Sequence, residues 1–389
     1  MPPCYSACLS IPAFTPPILM LDLAAQHAPL RAELDAALRQ CLDESAFIQG
    51  PAVAEFVQEL SQYLGGPHVV PCANGTDALQ LALMSLRLPQ GSEVLVPAFT
   101  YVATLEAAAL LGLVPVPVDV LPTTFGLDPH AVEAAITPRT GAIVAVHLFG
   151  QCADLESLRR LADHHNLALI EDNAQSLGAT FTTSTGETWA AGTVGEVGTT
   201  SFFPSKNLGA MGDGGALFTH DSSRAELLRQ LANHGQTRKY HHEHIGLNSR
   251  LDTLQAALLR VKLRHLEQWT AARQHIAARY DAAFAGIAGL LVPARDPRST
   301  HVFHQYTVQL TDPTRRDVLQ KHLAALGVPS VVYYPLPVHR QPAYHYLGYQ
   351  AGQFPVAERL CQKVLSVPIH PTLAPEQVAF IGEAVRSFF

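Results

Sequence analysis

The sequence is short of charge, of basic residues and of uninterrupted apolar runs. Only 15% of its 389 residues are charged, and acids outnumber bases 33 to 26, a formal net charge of -7. No basic excess and no Lys/Arg run is there to neutralise phosphates, which argues against a nucleic-acid partner. The longest apolar stretch, Ala107 to Val118, is interrupted by Pro115 and Pro117, and it falls short of the roughly 20 residues a membrane helix needs. Cysteine is sparse: Cys4, Cys8, Cys41, Cys72, Cys152 and Cys361 are scattered and contain no CxxC pair. Neither a zinc site nor a disulfide framework is suggested, and reduced thiols in the cytoplasm are expected. Met1 to Pro17 lack the basic start and clean apolar block of a secretory signal, so they read as a flexible leader.

What is present is a globular composition. Apolar residues make up 48% of the chain, enough for a large buried core. The length suits two domains. Helical spacing runs over Ala24–Leu42, Gly75–Leu86 and Leu105–Leu111, with short apolar strands at Glu93–Pro97, Val114–Asp119, Ala142–His147 and Leu167–Asp172. Such alternation predicts an α/β fold with a mostly parallel sheet buried on both faces. Gly198–Thr219 reads as strand, turn and strand, and Leu251–Phe284 as one long helical stretch. The texture then turns Pro-rich, with a strand at Tyr306–Leu310 and helices near Arg315–Leu326 and Val356–Leu365. The expected layout is a leader over 1–18, a large domain over 19–287 and a smaller C-terminal α+β domain over 288–389.

Parallel sheets bind ligands at the carboxyl ends of their strands, and Asp119, His147 and Asp172 to Gln175 fall at such ends. Four constellations carry chemistry. Lys206 follows a strand and is bracketed by Pro204, Gly209 and Gly212. A lysine positioned in this way and desolvated becomes a nucleophile toward carbonyls, although a surface turn lysine is the plainer alternative. Asp172 emerges from a buried strand and needs a cationic partner to stay charged, such as a protonated pyridine nitrogen; Gln175 is within reach of the ring oxygen of such a group. The alternative is a helix-capping aspartate. Gly75 and Thr76 open a helix, where free N–H groups and the dipole favour a phosphate, unless Asn74 or Thr76 is only a cap. Asn248 and Arg250 precede another helix and suit an anion, or form a surface capping box. The histidines His241, His242 and His244 do not converge on one helix face, so no metal site is expected there.

Taken together, a phosphate cradle, a pyridinium partner and an amine nucleophile describe a pyridoxal-phosphate site. The chain resembles the DegT/StrS family of sugar aminotransferases, fold type I pyridoxal-phosphate enzymes, through CANGTDALQLAL, VPAFTYVAT, HLFGQCADL, EDNAQSLGA, SFFPSKNLGAMGDGGALFT, HGQTRKYHH and GLNSRLDTLQAALL, in that order. A weaker match runs through YYPLPVHRQPAY and SVPIHP. The resemblance implies that Lys206 holds the cofactor covalently, Asp172 pairs with its ring nitrogen and Gln175 with its ring oxygen. It implies that Gly75, Thr76 and Ser201 bind its phosphate, and that Tyr101 lies against its ring. It implies that Asn248 reaches the phosphate of a neighbouring subunit, so that a homodimer shares its sites. L-glutamate is then the amino donor, 2-oxoglutarate its product, and a nucleotide-linked keto-sugar the acceptor.

Several motifs are most similar to enzymes that aminate UDP-2-acetamido-2-deoxy-3-oxo-glucuronate for bacterial surface polysaccharides. Arg250 is then a candidate for the sugar carboxylate or diphosphate, and Tyr334 and His339 lie near the expected sugar pocket. Tyr333-Tyr334 stands where relatives often have His-Tyr, and Asn173 where alanine is usual. Dehydratases of this family carry histidine at the lysine position, which Lys206 speaks against. A non-catalytic regulator would need a nucleic-acid module, and no basic tail or helix-turn-helix is evident.

Overall fold

The computed structural model describes residues 17–389. The expected leader therefore lies outside the described residues except for its last two, as do Cys4 and Cys8. Ile18 is buried, packed in the core of the C-terminal region.

The chain contributes β1 (His68–Cys72), β2 (Glu93–Pro97), β3 (Val114–Val118), β4 (Thr140–Val146) and β5 (Ala168–Asp172). A small hairpin, β6 (Thr180–Thr182) and β7 (Thr188–Ala190), precedes β8 (Val197–Ser201) and β9 (Gly215–Thr219). The main sheet has the order β1-β9-β8-β5-β4-β2-β3. Its pairings are parallel from β8 through β5, β4 and β2 to β3, and antiparallel on both sides of β9. This is the mostly parallel sheet of fold type I, with helices on both faces. Strand pleating divides the core: Val94 and Val96 bury against the helices Gly75–Leu86 and Ala103–Leu110, whereas Leu95 faces the layer that contains Leu158 and Leu161, as alternation along a strand requires.

Two expected helices are interrupted and a third is shortened. Ala24–Leu42 is observed as Leu23–His27 and Arg31–Glu44, separated by a 3-10 turn over Ala28–Leu30, because Pro29 supplies no N–H. Leu251–Phe284 is two helices, Thr253–Leu263 and Leu266–Phe284. Leu259, Leu263 and Leu266 belong to the core beneath β1 and β9, while Ile276, Tyr280 and Phe284 belong to the C-terminal core. One straight helix does not serve both. The third helix ends early, as Pro355–Lys363.

Beyond it Val364–Val367 pairs with Tyr306–Leu310, so the β-branched valines enter a strand instead. With β10 (Gln236–Arg238) and β11 (His241–His242) forming an exposed hairpin, β12 (Leu290–Leu291), β13 (Tyr306–Leu310) and β14 (Val364–Val367) complete a three-stranded antiparallel sheet. No helix among the described residues is long and apolar enough to cross a membrane.

Candidate active site

The carboxyl ends of β1, β2, β4, β5 and β8 lead into Asn74–Thr76, Tyr101, His147, Asp172–Gln175 and Lys206 respectively. Parallel pairing places the ends of β2, β4, β5 and β8 along one edge, and the two antiparallel pairings of β9 bring the end of β1 to the same edge.

The amine of Lys206 and the carboxylate of Asp172 lie within each other's electrostatic field. Each raises the charged form of the other, and burial opposes both: it lowers the Lys206 pKa and raises that of Asp172. For Asp172 burial outweighs the help it receives from the Ala174 N–H and the charge of Lys206. Its hydrogen bonds are few: Ala174 N–H donates to Oδ1 at 3.1 Å and Thr104 Oγ1 to Oδ2 at 3.3 Å. A carboxylate that is 8% exposed and so thinly supported retains a demand for a cation.

The turn that carries Lys206 is tightly built. Lys206 N–H donates to Phe203 O at 2.8 Å and Ala210 N–H to Phe202 O at 2.7 Å. Gly209 lies so close that a Cβ there would stand 2.3 Å from Pro204 O. Lys262, only 1% exposed, donates from Nζ to Gly209 O at 2.6 Å and clamps the turn from behind.

Beside it, Asn74 caps the helix Gly75–Leu86 by accepting from Asp77 N–H at 2.8 Å. The N–H groups of Gly75 and Thr76 remain at the open end of the helix, where no internal partner exists. Gly75 abuts Ser201: a Cβ would come within 2.7 Å of the Ser201 Cβ. The two make a notch that any larger side chain would fill. Ser201 Oγ accepts from Phe203 N–H at 3.2 Å.

Gln175 is held at both ends. Its Oε1 accepts from Phe149 N–H at 2.7 Å, and its Nε2 donates to Tyr334 Oη at 3.1 Å. Tyr334 in turn lies 6.1 Å from the ring of Tyr101, which is 57% exposed and overlooks the site. Burial also raises the Tyr334 hydroxyl well above its ordinary range.

The structure thus brings Lys206, Asp172, Gln175, Tyr334 and Tyr101 together, with Gly75 against Ser201. Arg250 donates to Asn233 Oδ1 at 3.0 Å and lines a groove of about 350 Å³ with Gln49, Val53, Val57, Val70 and Ser249. Asn248 is exposed. His339 is buried, pairs through Nε2 with Glu358 at 3.2 Å and packs against Phe354. Among the described residues none of these three bonds to Lys206, Asp172, Gln175 or Ser201. Asp119, another polar strand end, is used up by capping: it accepts from the Val356 and Ala357 N–H groups of a C-terminal helix. Asn173 turns away and donates to Ala191 O at 2.8 Å.

Sequence reasoning did not find Thr104, Lys262 or the pairing of His147 with Glu171. Thr104 lies within the motif after β2 and was legible there. Lys262 sits between Val261 and Leu263 on an otherwise apolar helix face, and a lone lysine of that kind carries no signal until its acceptor is known.

Comparison with known proteins agrees with this geometry. Residues 29–386 match the model of the DegT/DnrJ/EryC1/StrS aminotransferase family. A UDP-2-acetamido-2-deoxy-3-oxo-D-glucuronate aminotransferase of Pseudomonas aeruginosa is 43% identical over 95% of this chain and 100% of its own. A dTDP-3-amino-3,4,6-trideoxy-alpha-D-glucose transaminase of Streptomyces venezuelae is 44% identical over 98% of both. The crystal structure of S. venezuelae DesV in complex with a ketimine intermediate superposes with a TM-score of 0.92, at 44% identity, over 96% of this chain and 99% of that one. This chain belongs to the DegT/DnrJ/EryC1/StrS aminotransferase family, pyridoxal-phosphate enzymes of fold type I that act on sugar nucleotides.

Proposed function

We propose that the chain moves an amino group from L-glutamate to a UDP-linked 3-keto-uronate, most simply UDP-2-acetamido-2-deoxy-3-oxo-D-glucuronate, in the cytoplasm and on the way to a bacterial surface polysaccharide. The carrying observation is the desolvated amine of Lys206 set against the under-supported carboxylate of Asp172. The residues suit pyridoxal phosphate. The Gly75–Ser201 notch and the open N–H groups of the helix suit its phosphate. Asp172 suits the ring nitrogen, Gln175 the ring oxygen, and Tyr101 the ring face.

When bound, the cofactor supplies a carbonyl that condenses with amines and a ring that spreads the electron pair left when a Cα–H bond breaks. The protein does the rest. Lys206 Nζ, whose pKa burial lowers, would take the proton from the donor Cα and return it within the site. Asp172 would keep the ring nitrogen protonated, and its own charge would be stabilised in return. L-glutamate would leave as 2-oxoglutarate, with water supplying the keto oxygen and the nitrogen staying in the site, and the keto-sugar would then take up that nitrogen and release water by the same proton movements reversed. Kinetics are ping-pong.

Assembly as a homodimer fits the same reading. The apolar groove beside Asn248 and Arg250, with the exposed Phe203 and Met211 close to Lys206, suits a second copy. Asn248 would then serve the neighbouring site, with Arg250 placed for a diphosphate, while His339, buried against Glu358 and Phe354, could act only from behind the sugar side.

Two measurements test the proposal. A visible spectrum before and after L-glutamate should show a yellow band that moves to shorter wavelength. A protein that stays colourless after added pyridoxal phosphate would refute it. Turnover of the UDP-linked keto-uronate should then exceed that of dTDP-linked 4-keto-6-deoxy sugars. The reverse preference would favour the second reading, a 4-keto-6-deoxy sugar nucleotide as acceptor.

A further inference from the structure

Asn207 follows Lys206 in the chain and is 5% exposed. Both ends of its amide are used on one short stretch of the C-terminal region. Nδ2 donates to Val302 O at 3.1 Å, and Oδ1 lies 3.2 Å from His304 Nδ1. A backbone carbonyl can only accept, so Val302 fixes the orientation of the amide, and His304 is the donor to Oδ1. The proton of His304 therefore sits on Nδ1. The ring is neutral, because burial and the nearby charges of Lys206 and Arg273 lower its pKa well below the ordinary value.

The stretch that receives Asn207 is itself pinned. Val302 N–H donates to Gly150 O at 2.8 Å and Gln305 N–H to Phe149 O at 3.3 Å. A Cβ at Gly150, where φ is 114°, would stand 2.7 Å from the Phe303 nitrogen. Phe149 and Phe303, both buried, take left-handed backbone with φ of 61° and 49°. Bulky residues keep that conformation only where the surroundings impose it. At Phe149 it accompanies an N–H aimed at Gln175 Oε1. Residues 301–305 thus hold two loops at once: the turn of Lys206 through Asn207, and the support of Gln175 through Phe149.

We propose that Asn207 and His304 are positioning residues for amino transfer, whose hydrogen bond sets the Lys206 turn in register with Phe149 and hence with Gln175. The inference rests on the aminotransferase reading. Lys206 carries its amine on a flexible four-carbon stem, so the backbone beneath it decides how often the amine meets the reacting carbon. Loss of the bond should slow proton transfer at Lys206 more than it weakens the binding of glutamate.

Three variants of the protein loaded with pyridoxal phosphate test this. His304→Leu removes the donor, and His304→Gln keeps an N–H for Asn207 Oδ1. Asn207→Ala cuts the same bond from the other side with the histidine in place, and serves if His304→Leu does not fold. Two quantities are read beside thermal unfolding. One is the limiting rate and half-saturation of the glutamate half-reaction. The other is the pH at which the yellow cofactor band is half converted, which reports the setting of the Lys206 nitrogen in the field of Asp172.

The limiting rate should fall about tenfold or more in His304→Leu and Asn207→Ala, with half-saturation within about twofold of wild type. The band midpoint should move by roughly half a pH unit, and His304→Gln should recover both. The proposal is overturned if folded His304→Leu or Asn207→Ala keeps the wild-type rate and midpoint, or if His304→Gln falls as far as His304→Leu. It is overturned equally if the rate follows thermal stability while the midpoint stays put. In each of these cases wild type still responds to glutamate, and the aminotransferase reading stands. A wild-type protein whose yellow band ignores L-glutamate would end both.

Discussion

Glu171 and Asp172 are neighbours on one strand, and they lead opposite lives. Both are buried. Glu171 points into the fold, where Gly192, Val194 and Gly195 donate N–H groups to it at 2.9, 2.6 and 2.7 Å and His147 Nε2 meets it at 2.9 Å. Because His147 Nδ1 accepts from Ala153 N–H, the ring proton sits on Nε2 and is donated to the carboxylate. Burial alone would raise the Glu171 pKa, but the His147 hydrogen bond and the backbone donors hold it below its ordinary value. Asp172 points to the strand-end edge with one backbone donor and one hydroxyl, and its pKa is pushed the other way. The saturated carboxylate holds the loop together; the unsaturated one keeps open lone pairs at the strand-end edge. Incomplete satisfaction, rather than burial, distinguishes Asp172 from Glu171.

The comparison can be broken most severely at the partner of Asp172. Lys206→Ala removes both anchor and base, and amino transfer should fall by a factor on the order of 10³ or more, read from the rate of the glutamate half-reaction. A near-wild-type rate would end the proposed mechanism.

Asp172→Asn should cost about a hundred- to a thousand-fold in the same rate. Its thermal midpoint should hold or rise, since a costly buried charge is removed. Glu171→Gln should reverse that pattern. Breaking its network should cost roughly 3–5 kcal/mol of folding free energy, measured by urea unfolding, with a smaller effect per folded molecule on the half-reaction. Equal stability losses in the two variants would dissolve the distinction.

The smallest effect concerns Lys262. Burial brings its amine down to about 8 from an ordinary 10.5. Between those values the unfolded chain holds a proton that the folded chain has lost, so this group makes stability rise with pH across that window. Urea unfolding on either side of the window should show the rise in wild type, and Lys262→Met should lack that increment. An identical slope in both would show that the amine is not desolvated as its contact with Gly209 implies.

Much of this was readable in advance. The strands β2 and β13 and the helix Gly75–Leu86 coincide with their sequence patterns, because short apolar runs bounded by turn residues leave little choice of conformation. The interruptions were harder. Pro29 was visible, but the bend between Leu263 and Leu266 depends on two cores that exist only in the folded chain. The motifs named Lys206, Asp172 and Gln175 as a set. They did not say that Gln175 is locked between Phe149 and Tyr334, nor that Asp119, which looks like Asp172 by position, is consumed as a helix cap.

By itself the sequence determined the alternation of strands and helices, hence the parallel sheet, and the residue types gathered at its strand ends. Those follow from local periodicity and from spacing along the chain. Only the tertiary structure decided which polar groups are already satisfied. That property depends on donors brought from distant segments, such as His147 to Glu171, Lys262 to Gly209 and Tyr334 to Gln175, and no local pattern records who meets whom across a fold.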